Sequence, residues 1–261
     1  MVLFSRQMPS WIGLAIGVTL AIQNAAASTS EPSGNISLRD IAGISVIDTP
    51  LVQAAEEYAL RYSNQAVYKH LMRSWLYGVL LIDSDETLGS DVDLEVHAVS
   101  ALLHDLGLDS TGGSPLISTD KRFEVDAAIA ARDFIKGHEK GSEWESRRVQ
   151  LVWDAIALHT ERSIAYYKEL EVQVLSKGIQ MDFLGPMPGI PEEKYAAVGE
   201  EFPKDDLKQQ FNQSFIWLCG TKPATTYDTW MQPWGENYVE DYEPVGKRRF
   251  DLIFGNLTTD V

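Results

Sequence analysis

From Thr49 to about Val174, apolar side chains recur at the spacing of a helix face, and strand-like alternation is nearly absent. Gly and Ser/Asp clusters divide this region into helices predicted over 50–63, 65–82, 91–107, 123–137, 144–160 and 163–176. Asp91 reads as an N-cap, and Gly107 and Gly178 read as helix stops. A Pro/Gly connector over 185–195 precedes one more helix, expected near 204–218. The stretch TTYDTWMQPWGENYVEDYEP (225–244) is aromatic and acidic without a period. It is expected to wrap the body of the fold, and some of its aromatics are candidates for a pocket wall. A chain of 261 residues, 44% hydrophobic and 23% charged, can build one substantial core. The expected fold class is all-α: a single helical domain over 49–261 with an irregular, aromatic-rich C-terminal tail.

The N-terminal stretch reads differently. Arg6 precedes an apolar run from Trp11 to Ile22, and the small residues AAAS permit cleavage after Ala27, the composition of a secretory signal. The run is shorter than the roughly 20 residues needed to span a bilayer. Residues 1–27 are therefore read as a signal peptide and 28–48 as a leader segment. The expected location is secreted, with no membrane attachment after cleavage. Sequons at Asn35, Asn212 and Asn256 agree with export. Cys219 is the only cysteine, so no internal disulfide is available, and stability must come from the core or a metal. A formal net charge of −16 repels phosphate backbones and argues against nucleic acid as a partner. Nothing in the sequence sets an oligomeric state.

The stretch ALLHDLGLD (101–109) places His104 and Asp105 at the end of an apolar run. A buried carboxylate without a partner costs several kcal/mol. An arginine, a helix terminus or a metal ion would each serve as the partner. Only four other histidines exist: His70, His97, His138 and His159. His70 shares a helix face with Arg73, Ser74 and Tyr77, which is either a solvent side or the wall of a site. His159 extends the apolar stripe of Val152 and Ile156, where a satisfied core histidine is the plainer reading. His97 lies seven residues before His104, and His138 sits among loop residues.

The stretches HLMRSWLYG (70–78), ALLHDLGL (101–108), RFEVDAAIAARDFI (122–135) and VWDAIALHT (152–160) resemble the HD superfamily of metal-dependent hydrolases. Within it they are most similar to the fungal cyanamide hydratase-like branch, over about residues 50–185. The resemblance implies an all-helical HD core that places His70, His104 and Asp105 on a metal. It points to Asp182, in GIQMDFLG, as the last ligand, with His159 as the rival for that place or a group touching the substrate. Two nitrogen and two oxygen ligands suit Zn²⁺, and Fe²⁺ or Mn²⁺ would also accept them. One metal is expected, because Glu124 and Asp126 stand where bimetallic members carry a histidine. His97 is then structural or supports a ligand from behind.

Most HD enzymes hydrolyse phosphate esters, often with a lysine after the His-Asp pair, whereas HDLGLD offers none, and Arg73, one residue that could contact an anion, brings a single charge. The resemblance instead implies hydration of a small, nearly neutral substrate with a carbon–nitrogen multiple bond, cyanamide- or nitrile-like. Asp105 or His159 would move the proton. Trp75, Tyr77, Trp153 and Ile156 are the expected walls of a dry, narrow pocket. The alternatives are an HD-type phosphohydrolase of a small ester and a non-catalytic helical domain stabilised by its metal.

Overall fold

Thr49 and Asn64 start the first two helices by one device: a side-chain oxygen accepts the N–H of the third residue on. Thr49 Oγ1 takes Val52 N at 3.2 Å and Asn64 Oδ1 takes Val67 N at 2.9 Å. These caps open α1 (Pro50–Tyr62) and α2 (Gln65–Asp83). The computed structural model describes residues 37–108 and 113–255. The predicted signal peptide, the start of the leader, and the sequons at Asn35 and Asn256 lie outside them.

Ten further helices succeed these among the described residues. They are α3 (Glu86–Asp91), α4 (Leu94–Leu103), α5 (Phe123–Gly137), α6 (Ser146–Leu158) and α7 (Arg162–Ala165). Then come α8 (Leu170–Leu184), α9 (Glu192–Glu201), α10 (Leu207–Thr221), α11 (Gln232–Tyr238) and α12 (Arg249–Phe254). The fold is all-α, as the sequence pattern requires.

Among the described residues the exception is residues 38–47, the later part of the leader. Strands β1 (Leu38–Ile41) and β2 (Ile44–Ile47) pair antiparallel, with Leu38 opposite Ile47 and Ile41 opposite Ile44. The two-residue loop takes positive φ at both positions, Ala42 at 55° and Gly43 at 74°, the twist that suits a tight hairpin. Ile44 and Val46 point inward and are 1% exposed, so this part of the leader closes the core.

Helix α2 is the central element. Leu71, Trp75, Leu76 and Leu80 are buried on one side, and His70, Arg73 and Ser74 are buried too, so the polar face is not a solvent face. Helix α8 lies along it at close range. A Cβ on Gly178 would sit 2.6 Å from Ser74 O, and one on Gly78 would sit 2.2 Å from the His97 ring. Gly178, expected to stop a helix, therefore lies inside α8 because two backbones meet there. The predicted helix 163–176 is divided: α7 is one turn, and α8 starts at Leu170 and runs to Leu184. Similarly, the predicted 91–107 helix is shorter. Asp91 ends α3, while Asp93 caps α4 by accepting from Glu95 N and Val96 N. The expected connector 185–195 ends early, because α9 begins at Glu192. Lys222 pairs with Asp126 at 2.6 Å, both buried, and pins the end of α10 to α5.

His97 is wholly buried between these helices, with Nε2 on Trp75 O at 3.2 Å and Nδ1 without a partner among the described residues. Burial pushes its pKa down to about 4, against the pull of that carbonyl. Between pH 6.5 and 4 the unfolded chain thus takes a proton that the folded chain refuses, and stability falls as pH falls through this window. The loss expected from this group is on the order of 3 kcal/mol. Denaturant unfolding at about pH 7 and about pH 4.5 checks it. His97→Gln should flatten the difference, and an unchanged pH slope in that variant would assign the loss to other groups.

Candidate metal centre

Helix α4 ends at Leu103, so His104 and Asp105 fall in the turn 104–107 rather than on the helix. On a helix, neighbours point about 100° apart; in this turn both side chains reach one point. Gly107 makes the turn possible, since a Cβ there would lie 2.2 Å from Phe123 O at the start of α5. The end of α6 repeats the arrangement. His159 succeeds Leu158 as the C-cap. Each ring donates Nδ1–H to a carbonyl three residues back: His104 to Ala101 O at 2.9 Å, His159 to Ile156 O at 2.6 Å. An imidazole that donates from Nδ1 keeps a bare lone pair on Nε2.

His70 comes from the middle of α2, and its Nδ1 is held by Asp182 Oδ2 at 2.6 Å. All three Nε2 atoms turn to Asp105. His70 Nε2 and His104 Nε2 are 3.2 Å apart, and they lie 3.6 and 3.3 Å from Asp105 Oδ2. His159 Nε2 is 3.4 Å from Asp105 Oδ1. Donors about 2.0–2.1 Å from one tetrahedral cation stand about 3.3–3.4 Å from each other. The observed separations fit that shape. Among the described residues, His70, His104 and Asp105 are the one set of three ligand groups whose atoms all lie within 4.8 Å of one another.

Asp182, the expected last ligand, lies outside that set of three; buried in α8, it borders the same cavity as the histidines and meets His70 Nδ1. Arg73 grips it with two bonds, Nε to Oδ1 at 2.7 Å and Nη2 to Oδ2 at 2.8 Å, and Lys204 Nζ stands 3.4 Å from Oδ1. A carboxylate so placed can orient a ligating imidazole through its other nitrogen. Burial would raise its pKa, but His70 and Arg73 outweigh that and hold it well below the usual carboxylate range. His159, the rival for the last place, brings Nε2 to 3.4 Å from Asp105 Oδ1 but, like Asp182, is not one of that set of three.

Electrostatics agree with a site that wants a cation. Burial lowers the His104 pKa despite Asp105. Burial also opposes charge on His159, yet Asp105 and then Glu124 override it and raise that pKa. Asp105 itself lies well below its ordinary value, because His104 and His159 overcome its burial. Without metal, a proton on His159 balances Asp105; a divalent cation would displace it, so affinity should weaken in acid. Glu124 and Asp126 are occupied elsewhere, the first with Arg122 and Thr160, the second with Lys222. His138 caps the end of α5, away from the histidine cluster, and accepts Lys140 N.

The cluster forms the floor of a cavity of about 740 Å³, within the range of small-molecule sites. Its walls are aromatic: Phe123, Phe183, Phe211 and Phe215, then Trp230 and Trp234 from the tail. The Phe211 ring stands edge-on to His70 at 5.2 Å. The walls expected from sequence do not line it. Trp75 and Tyr77 are core residues on α2, and Tyr77 stacks on Tyr195 at 4.5 Å. Neither Trp153 nor Ile156 borders the cavity. Helix α10 is the wall that sequence reading missed, although Lys208, Phe211, Asn212 and Phe215 stand at i, i+3, i+4 and i+7 and mark one face.

The purified protein should bind about one equivalent of divalent transition metal, and His159→Ala should abolish tight binding if that ring, rather than Asp182, is the last ligand. Asp182→Asn should keep the full equivalent at saturation with affinity weaker by about 10–100-fold. Metal analysis with a competing chelator measures both. Metal retained by His159→Ala but lost by Asp182→Asn would restore the expectation from sequence.

No curated protein matches the chain. The HD domain family matches residues 67–197, from the start of α2 into α9, a span that holds all five residues of the cluster and its support. HD domains bind divalent metals and are in general metal-dependent hydrolases. With half its length covered by that match and a His-His-Asp cluster in place, the chain belongs to the HD domain family.

Proposed function

We propose that this protein is a single-metal enzyme that adds water to a carbon–nitrogen multiple bond, nitrile- or cyanamide-like, carried on a mainly apolar small molecule. The observation that carries the reading is the placement of the His70, His104, Asp105 and His159 donors beneath an aromatic cavity. The sequence likeness to the cyanamide hydratase-like branch supports the reaction class. A cavity of about 740 Å³ supports a substrate much larger than cyanamide itself.

When bound, a divalent cation (Zn²⁺ by donor set, Fe²⁺ or Mn²⁺ also accommodated) supplies Lewis acidity that lowers the pKa of water toward neutrality. The chain's own groups do the rest. His70, His104 and His159 arrive with Nδ1 already tied off, so no reorganisation precedes binding. Asp105 spans the cluster with both oxygens, and one of them takes the proton from water and passes it to the substrate nitrogen. Addition forms a C–O bond, breaks one O–H bond and one C–N π bond, and puts that proton on nitrogen. Tautomerisation of the resulting imidic acid then moves the second water proton to nitrogen, so a nitrile gives an amide with its C–N σ bond intact. Phe211, Phe215 and Trp230 exclude bulk water from the substrate body.

One observation favours phosphate-ester hydrolysis: Arg162, Lys204 and Lys208 border the cavity. These side chains are exposed at the rim, and Lys204 is engaged by Asp182. Charge developing on a phosphoryl group must be met at the reacting centre. Arg73, three residues after His70, is buried against Asp182 and Phe202 O and cannot reach a substrate. Export from the cell remains part of the proposal, on the strength of the N-terminal apolar run and the AAAS junction.

Metal-loaded protein assayed against aryl-substituted nitriles, isonitriles and cyanamides, with p-nitrophenyl phosphate alongside, tests the reaction class. Chelator-sensitive hydration of at least one C–N compound is expected, falling more than about 100-fold in Asp105→Asn. Efficient metal-dependent cleavage of phosphate esters, with no C–N turnover, would reverse the assignment.

A further inference from the structure

The cavity mouth departs from the charge of the whole chain. Acidic residues outnumber basic ones 38 to 22, yet three cations stand at this one opening. Their partners differ. Lys204 donates to the Asp182 carbonyl and approaches its carboxylate. Asp205, the acid beside them, pairs with Lys69. Arg162 and Lys208 have no side-chain partner among the described residues and are exposed. Neither is far in sequence from the histidines or the rings around them. Arg162 opens α7, three residues after His159, and Lys208 lies one turn before Phe211, whose ring touches His70. Along the cavity face of α10, Lys208 is outermost, Phe211 and Phe215 are 7% and 8% exposed, and Asn212 stands between them.

A second observation concerns the neutral polar groups of the wall. An indole N–H can only donate, so Trp234 Nε1, at 3.1 Å, obliges Asn212 to present Oδ1 to it. The Asn212 amide nitrogen, with two hydrogens and no partner among the described residues, is left for the cavity. Gln180 repeats this arrangement: its Oε1 accepts from the Tyr166 hydroxyl, and its Nε2 remains a donor. Apart from Asp205, which Lys69 holds, the exposed charged side chains at the mouth are donors, and two of them, Arg162 and Lys208, have no partner among the described residues. Such a lining wants acceptor oxygens, and charge-assisted bonds to a carboxylate are the stronger kind. At an exposed rim an anion keeps part of its hydration, so the desolvation that weakens buried ion pairs is small.

We propose that the substrate is an aromatic or otherwise apolar molecule whose end remote from the reacting bond is a carboxylate, received by Asn212, Lys208 and Arg162. The reacting bond rests on the hydratase function proposed for the metal centre; the anionic end does not. The sequon at Asn212 then serves no glycan, because the nitrogen that would carry the sugar faces the ligand.

Three inert probes test it by calorimetry or by quenching of Trp230 and Trp234: 3-phenylpropanoate, its primary amide, and 2-phenylethyl phosphate. Each is measured on metal-loaded and on chelator-treated protein, so the outcome stands whether or not any C–N compound turns over. The carboxylate is expected to bind at least about tenfold more tightly than the amide in both forms. Lys208→Gln with Arg162→Gln, two surface changes, should bring the pair to near-equal affinity. Equal affinity in the parent protein, no saturable binding of any probe, or a preference that survives the double substitution would overturn the proposal. So would a carboxylate or phosphate preference that vanishes when the metal is removed, since the anion would then belong at the histidines. A carboxylate preference without C–N hydration would leave this proposal standing and remove the reaction class.

Discussion

Asp182 joins two things that would otherwise be independent: the packing of α8 on α2 and the orientation of His70. Its carboxylate is bound by Arg73 on α2 with two bonds and by His70 one turn earlier on the same helix, while its own backbone belongs to α8. Removing one member of such a buried pair leaves an uncompensated charge, at a cost of about 3–5 kcal/mol. The close helix approach depends on glycine at Gly78 and Gly178, which lets α8 come near enough for the carboxylate to reach. The core and the site therefore stand or fall together.

The remaining donors are placed by a different and local means. His104 and His159 each occupy the residue after a helix ends, and each returns Nδ1–H to the last turn's carbonyl. Those carbonyls lie in the last turn, at the negative end of the helix dipole, so they suit a donor; Ile156 O also takes His159 N at 3.4 Å. The tautomer that a metal needs is thereby set by secondary structure, twice, and by a carboxylate once. Asp105 completes the cluster, and its burial without an arginine is explained by the groups that converge on it.

Above this polar floor the cavity belongs to other segments. Helix α10 and the aromatic tail supply Phe211, Phe215, Trp230 and Trp234, and these rings pack on one another as well as around the opening. The Asp126–Lys222 pair and the bonds of Glu124 to Thr160 and Trp230 tie that cover to the helices beneath. The histidine and carboxylate cluster and the walls of the cavity are thus supplied by different parts of the chain, the first by α2 and the ends of α4 and α6, the second largely by α10 and the aromatic tail.

Periodicity and capping signals are enough to read α1, α2, α5 and α6 to within a few residues, because the elements are long and their caps are local. His70, His104 and Asp105 are legible for a related reason: a histidine or aspartate inside an apolar run requires a partner wherever the chain goes. The hairpin 38–47 escapes such a reading because four-residue strands carry too little pattern, and α8 is misplaced because Gly178 looks like a stop when its neighbour is unseen. Asp182 and His159 cannot be ranked from sequence. Both are buried groups at the right remove, and which of them meets the cluster depends on the direction each side chain takes across a helix contact. Composition likewise shows an acidic chain, while the gathering of Arg162 and Lys208 at one opening is a product of the fold. Residue type settles what a side chain can do; only the packing of distant segments settles what it faces, because the interactions that decide it fall off within a few ångströms.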